Sequence, residues 1–338
     1  MGDKEEQPGK REHVAHGSRH TPWTFGVRAV VVAAGLVLSA CAVPSASTPP
    51  ERAPSPSVIA PEFTLIELPD LGGGLVVAGN TLWDATDSGA VRVDTTNETV
   101  SEPIQGVTNL AFDGERLWAG GEKLLLELDP DTGAELQRML LDFNAFYLAA
   151  TPDAVWATDT LTEPWKVRRI DPRDGQVVAT IEVPSTPKGT WLGEGALWVA
   201  CDGAGTVVRI NTSTNEIEAR ITVGAGPHTI AAGGGAIWVT SRHSSTLSKI
   251  DPATNQVIAT VEGVATSPAV GVDVGSRFVY VAYAGGVAVV DPDTAEIAYR
   301  IDVEGASFYD LRVMGDVLWA SNASDAELYG FDIQALAN

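Results

Sequence analysis

Beyond residue 40 the chain carries two histidines, His228 and His243, each in a glycine- or serine-containing turn between apolar stretches. An unperturbed imidazole changes charge near neutral pH and serves as base, acid or ligand-binding group. His228 stands ten residues before an aromatic anchor, Trp238, and Lys188 and Tyr309 stand ten residues before Trp198 and Trp319. Tyr147 and Asp310 follow in the next column of the same comparison, and Arg242 with His243 occupies a second loop expected on the same face. Lys188, His228, Tyr147 and Tyr309 together suit an anionic or aromatic ligand, because cations and ring faces attract such groups. Their other reading is solvated loop residues.

A third set breaks a column of small residues. Seven positions before the anchors the sequence reads Val76, Ala111, Ala149, Trp191, Ala231, Asp273 and Arg312. The alanines imply little room, so Trp191, Asp273 and Arg312 are departures that need a reason. Asp273, Asp310 and Arg312 form either a buried ion pair or the polar floor of a ligand pocket; an unpaired buried charge would be costly. Cys201 has no adjacent histidine in its repeat and reads as a packed thiol. Asp87, Glu122, Asp159 and Asp202 are single carboxylates on successive loops without the dense spacing of a metal site, so neither metal nor cofactor is expected.

The elements that must position these groups are repeats. Trp83, Trp118, Trp156, Trp198, Trp238, Tyr280 and Trp319 recur at spacings of 35, 38, 42, 40, 42 and 39 residues. In step with them Asp94, Asp129, Asp171, Asn211, Asp251, Asp291 and Asp332 each end an apolar alternation, and four of these precede proline. Asx residues cap their own turns, so most of these acids are structural. Between anchors lie four short strand patterns, such as "HTIAA", "AIWVT", "TLSKI" and "QVIATV", with no helical period after residue 62. Four-stranded units at this spacing predict an all-β, seven-bladed β-propeller. The last repeat lacks a fourth strand, and the orphan "EFTLIELP" at residues 62–69 would supply it, closing the ring by an N-terminal strand in the last blade.

The front of the chain reads differently. Basic residues Lys4, Lys10, Arg11, Arg19 and Arg28 precede the apolar run "AVVVAAGLVLSA", which ends at Cys41. That is the layout of a secretory signal peptide, and twelve residues are too few for a membrane-spanning helix. Leu38, Ser39, Ala40 and Cys41 resemble the lipobox of bacterial lipoproteins, which implies diacylglyceryl transfer to the Cys41 thiol. Residues 1–40 are thus expected as signal peptide, 41–61 as lipidated cysteine with a disordered Pro/Ser-rich tether, and 62–338 as the propeller. Removing residues 1–40 changes the net charge from -22 to -23, which excludes nucleic acid as a partner.

The strands "IWVTS", "LWVAC" and "VYVAY", each leading to "IDPxT" or a variant, resemble the YVTN-type repeats of bacterial surface propellers. This resemblance implies the fold over about residues 62–338 and spans binding proteins, lactonases and streptogramin lyases. Quinoprotein propellers have eight blades with a Trp after each Thr-Gly, which these repeats lack. The expected function is therefore a monomeric, membrane-anchored extracytoplasmic lipoprotein, a binding or scaffold module for a small ligand, glycan or protein at the channel mouth. It would sit on the outer face of the plasma membrane, or on the outer membrane in a Gram-negative cell. The alternative is a lyase-like or lactonase-like enzyme using the same mouth; the lyase resemblance would add a histidine base and carboxylate-held magnesium.

Overall fold

The computed structural model describes residues 56–335, and the expected signal peptide, Cys41 and most of the expected tether lie outside them. Alternating burial within each strand follows from side chains pointing to opposite faces of a sheet. Two strands come first, β1 (Ser57–Ile59) and β2 (Phe63–Glu67). The first blade holds β3 (Gly72–Ala78), β4 (Thr81–Thr86), β5 (Gly89–Asp94) and β6 (Thr99–Val100). The second holds β7 (Val107–Phe112), β8 (Leu117–Gly121), β9 (Leu124–Leu128) and β10 (Glu135–Leu140). In the third stand β11 (Phe146–Thr151), β12 (Ala154–Asp159), β13 (Lys166–Ile170) and β14 (Val177–Glu182). The fourth comprises β15 (Pro187–Gly193), β16 (Ala196–Cys201), β17 (Thr206–Asn211) and β18 (Ile217–Thr222). The fifth comprises β19 (Pro227–Gly233), β20 (Ala236–Ser241), β21 (Thr246–Asp251) and β22 (Gln256–Val261).

The remaining chain departs from this pattern. Strands β23 (Val272–Val274), β24 (Val279–Asp291), β25 (Glu296–Met314), β26 (Val317–Asn322) and β27 (Glu327–Asp332) join β1 and β2 in one seven-stranded sheet. The fold is an all-β propeller, but it has five separate four-stranded blades where seven were expected. The sixth and seventh repeats share the larger sheet because β24 and β25 each run through a position where the other repeats turn. Gly285 and Gly286, at φ 108° and 158°, let β24 bend without ending, and a register shift between Ala284 and Gly286 absorbs the bend.

Strand β2 pairs antiparallel with β27, Phe63 opposite Phe331 and Glu67 opposite Glu327. Strand β1 pairs in parallel with β25 through Ser57 and Tyr299. Strand structure thus begins at residue 57, inside the segment expected to be a disordered tether; backbone groups of β25 at this outer edge supply the hydrogen-bond partners that a free tether lacks.

All seven aromatic anchors are buried. Buried apolar side chains gather in seven clusters, such as Trp83 with Leu110, Leu117 and Leu126, and Trp238 with Val272, Val281 and Val290. Each cluster spans consecutive repeats, so the hydrophobic effect favours lateral packing of blade on blade. The turn acids do what their chemistry predicts: the Asp94, Asp129, Asp171, Asn211, Asp251, Asp291 and Asp332 side chains each accept N–H groups from two or three residues ahead.

Candidate functional site

The innermost strands neighbour one another in the cyclic order β3, β7, β11, β15, β19, β23, β25 and again β3. Each residue of the column with Trp191, Asp273 and Arg312 pairs across its inner hairpin with the aromatic anchor: Val76 with Trp83, Trp191 with Trp198, Asp273 with Tyr280 and Arg312 with Trp319. A fixed register therefore determines which side chains meet at the axis.

At the starts of these strands a cavity of about 540 Å³ opens, with Asn109, Tyr147, Lys188 and Tyr309 among its walls. Beneath it a constriction of about 90 Å³ is lined by Tyr147, Trp191, His228, Tyr309, Asp310 and Arg312. Beyond lies a far chamber of about 390 Å³, which Trp191, Asp273 and Arg312 share with Val76, Ala111 and Ala149. The expected pocket is thus divided: Tyr147, Lys188 and Tyr309 stand at the mouth, His228 and Asp310 at the waist, and Asp273 in the far chamber.

His228 is 3% exposed and lies edge-on between the rings of Tyr147, at 6.4 Å, and Tyr309, at 5.8 Å. Its Nδ1 is 3.1 Å from the Thr229 hydroxyl. Burial, reinforced by the positive charges of Arg242, Lys188 and His243, lowers its pKa to about 3, so the imidazole is neutral at physiological pH. Burial also raises the Tyr147 and Tyr309 phenols above their ordinary range, and the two hydroxyls interact. Lys188 Nζ sits 5.9 Å from the Tyr147 ring centroid. Tyr147 holds φ 25°, a left-handed backbone that a bulky side chain rarely adopts. Gly189 has no alternative side chain, since a Cβ there would come 2.4 Å from the His228 carbonyl oxygen.

Arg242 acts electrostatically on His228, Tyr147 and Tyr309. Among the described residues neither it nor Lys188 has an ion-pair partner. His243 is more exposed and stands 4.0 Å from Asp202. The mouth is therefore aromatic with mixed charge: Lys188 and Asp87 both stand in the cavity wall, and Arg242 and Asp202 both act electrostatically on Tyr147.

The carboxylates below it are engaged in joining strands. Asp310 Oδ2 accepts the Leu75 N–H at 3.0 Å, and its Oδ1 accepts Leu311 N–H at 2.9 Å and Arg312 Nη1 at 2.7 Å. Asp273 accepts the Val313 N–H at 2.8 Å. Asn109 accepts from Leu148 N–H, Thr190 donates to the Leu148 carbonyl, and Thr240 donates to the Val270 carbonyl. These side chains tie neighbouring repeats together around the axis.

Asp84 is the residue that sequence comparison passed over. It is fully buried and accepts hydrogen bonds from Gly73 N–H, Gly74 N–H and the Ser321 hydroxyl. The signal was available one position after the anchors, where the other repeats have Ala119, Ala157, Val199, Val239, Val281 and Ala320. Cys201 is buried, and burial pushes its thiol up to about 12, the environment of an inert side chain. Among the described residues no group of three or more His, Cys, Asp or Glu side chains is placed to hold a metal ion. The magnesium that resemblance to the lyases would bring finds no cluster of three such side chains among the described residues.

No protein-family profile and no curated protein matches the chain. Similarity to solved structures is confined to the fold. A virginiamycin B lyase from Staphylococcus aureus superposes with TM-score 0.69 at 16% identity, over 80% of this chain and 99% of that one. BamB from Moraxella catarrhalis gives TM-score 0.58 at 14% identity, over 78% and 83%. The WD40 repeats of RRP9 give 0.70 at 12%, over 81% and 99%. All are β-propellers, whose shared architecture carries unrelated functions.

Proposed function

We propose that the protein is a lipoprotein, anchored through Cys41 at the outer face of the plasma membrane, whose propeller binds a ligand at the channel mouth. The observation that carries this reading is the cavity walled by Tyr147, Lys188 and Tyr309 above neutral His228, with Arg242 adding a second cation free of any ion pair among the described residues. Asp87 shares that wall, so the rings favour a small aromatic ligand and Lys188 an anionic group upon it, or a glycan or protein presenting one. The Leu38–Cys41 tetrad supports the anchor.

A lyase-like or lactonase-like reaction is the second reading. It is favoured by the fold shared with the virginiamycin B lyase and by an imidazole below the mouth. A histidine with pKa about 3 is a weak base at neutral pH, which weighs for binding over proton abstraction.

The test is a thermal-shift screen of the detergent-solubilised chain against glycans, lactones, peptide antibiotics and aryl carboxylates, beside Lys188→Gln and Tyr147→Ala. A ligand-dependent rise in melting temperature lost in both variants supports the mouth; a rise retained in both refutes it. Turnover abolished by His228→Ala would favour the enzyme. Cys41→Ala should move the protein from the membrane to the soluble fraction, and a variant that stays membrane-bound removes the lipid anchor from the reading.

A further inference from the structure

The far chamber has an asymmetry of its own. On three successive inner strands, β3, β7 and β11, the axis-facing residues are small: Val76, Ala111 and Ala149. The rest of the wall includes the indole of Trp191 and two charged groups, Asp273 and Arg312. One arc is shaped to receive an apolar body, and the other offers a ring face and polar atoms.

Arg312 gives Nη1 to Asp310 and to the Leu311 carbonyl. Its Nη2 and Nε make no hydrogen bond within the described residues. Asp273 engages Val313 N–H through Oδ2, interacts also with the Val274 N–H, and keeps unused lone pairs, since a carboxyl oxygen accepts more than one hydrogen bond. Donor and acceptor thus line the same small chamber. The guanidinium is already balanced by Asp310 at 2.7 Å and by the field of Asp273. A ligand bearing a net charge would find no free counter-charge beside this already balanced, half-buried group.

We propose that the far chamber is a second binding site, for a neutral planar ligand with a cyclic-amide edge. Its C=O accepts from Arg312, its adjacent N–H donates to Asp273, its ring lies against Trp191, and its apolar body fills the arc of Val76, Ala111 and Ala149. No covalent step is involved. The site lies beyond the waist from the mouth, and it selects against a net charge.

The probe is 2-pyridone, added to the detergent-solubilised full chain and followed by titration calorimetry and saturation-transfer NMR. N-methyl-2-pyridone, benzoate and benzylamine are the comparisons. Binding of 2-pyridone is expected to weaken about tenfold on N-methylation, the usual effect of one hydrogen bond. Val76→Phe, which fills the chamber, and Trp191→Ala, which removes the ring face, should each cost at least as much. Ala150→Leu, on another wall of the chamber, replaces Val76→Phe if that variant does not fold. Benzoate or benzylamine binding as well as 2-pyridone would overturn the neutral-ligand assignment. Binding indifferent to the chamber variants, or no binding of 2-pyridone at millimolar concentration, would overturn the site.

Discussion

Asp84 and Ser321 are 237 residues apart in the chain and 2.8 Å apart in the fold. Their hydrogen bond crosses from the first blade to the sheet that holds the last repeat. A methyl group on Gly72 would come 1.9 Å from the Ser321 Oγ and 2.4 Å from Asp84 Oδ2, so that position must be glycine for the bond to exist. Beside it, Asp310 reaches Leu75 N–H across the same junction.

This junction should be sensitive to small changes. Asp84→Ala strands the buried Ser321 hydroxyl and removes the acceptor of the part-buried Gly73 and Gly74 N–H groups, with an expected loss of about 1–3 kcal/mol. Gly72→Ala overpacks the same space and should cost about 1–3 kcal/mol. Urea denaturation measures both, and midpoints equal to the parent's would show that the junction contributes nothing.

Overlap of the chain ends should govern cooperativity. Strand β2 buries Ile66 against Leu75, Leu82 and Leu328, and it covers the edge of β27. Removing residues 56–69 exposes that edge and opens the cluster. The shortened protein is expected to melt broadly or aggregate, as followed by calorimetry; a sharp transition at the parent's temperature would contradict it.

His228 gives a pH dependence of known sign. Its folded pKa, about 3, lies below the ordinary 6.5, so between those values the unfolded chain binds the proton and the folded chain does not. Stability contributed by the neutral imidazole is complete above pH 6.5 and falls as pH drops toward 3, by up to about 1.4 kcal/mol per unit. His228→Gln should lose less stability than the parent on acidification. Urea titrations at several pH values compare them, and parallel losses would mean that His228 takes up its proton without unfolding.

Cys201 should be silent toward thiol reagents while the protein is folded. Its side chain is fully buried and its thiol is held near 12. Labelling by a disulfide reagent, with Cys201→Ser as control, should proceed at the rate of unfolding and accelerate with urea. Rapid labelling of the native protein would place the thiol at an accessible site.

Much of the architecture was written in periodicity. Trp83 to Trp319 and the Asx turns Asp94 to Asp332 are local signals, because strand alternation and turn capping depend on neighbours within a few residues. So was the orphan strand, whose partner was missing from the last repeat. The merger of the last two repeats was not legible in that period, because it depends on whether Gly285, Gly286 and the segment before Met314 stay in register with distant backbone.

The site divides in the same way. Sequence alone singled out Lys188, His228, Tyr309, Trp191, Asp273 and Arg312 as departures from aligned columns, since repetition supplies its own comparison. It did not separate mouth from far chamber, or assign Asp273 and Asp310 to neighbouring backbone N–H groups. Those outcomes depend on distances between strands far apart in the chain. Only the closed fold brings Leu75 to Asp310 and Asp84 to Ser321, because burial beside a precise partner decides what a carboxylate does.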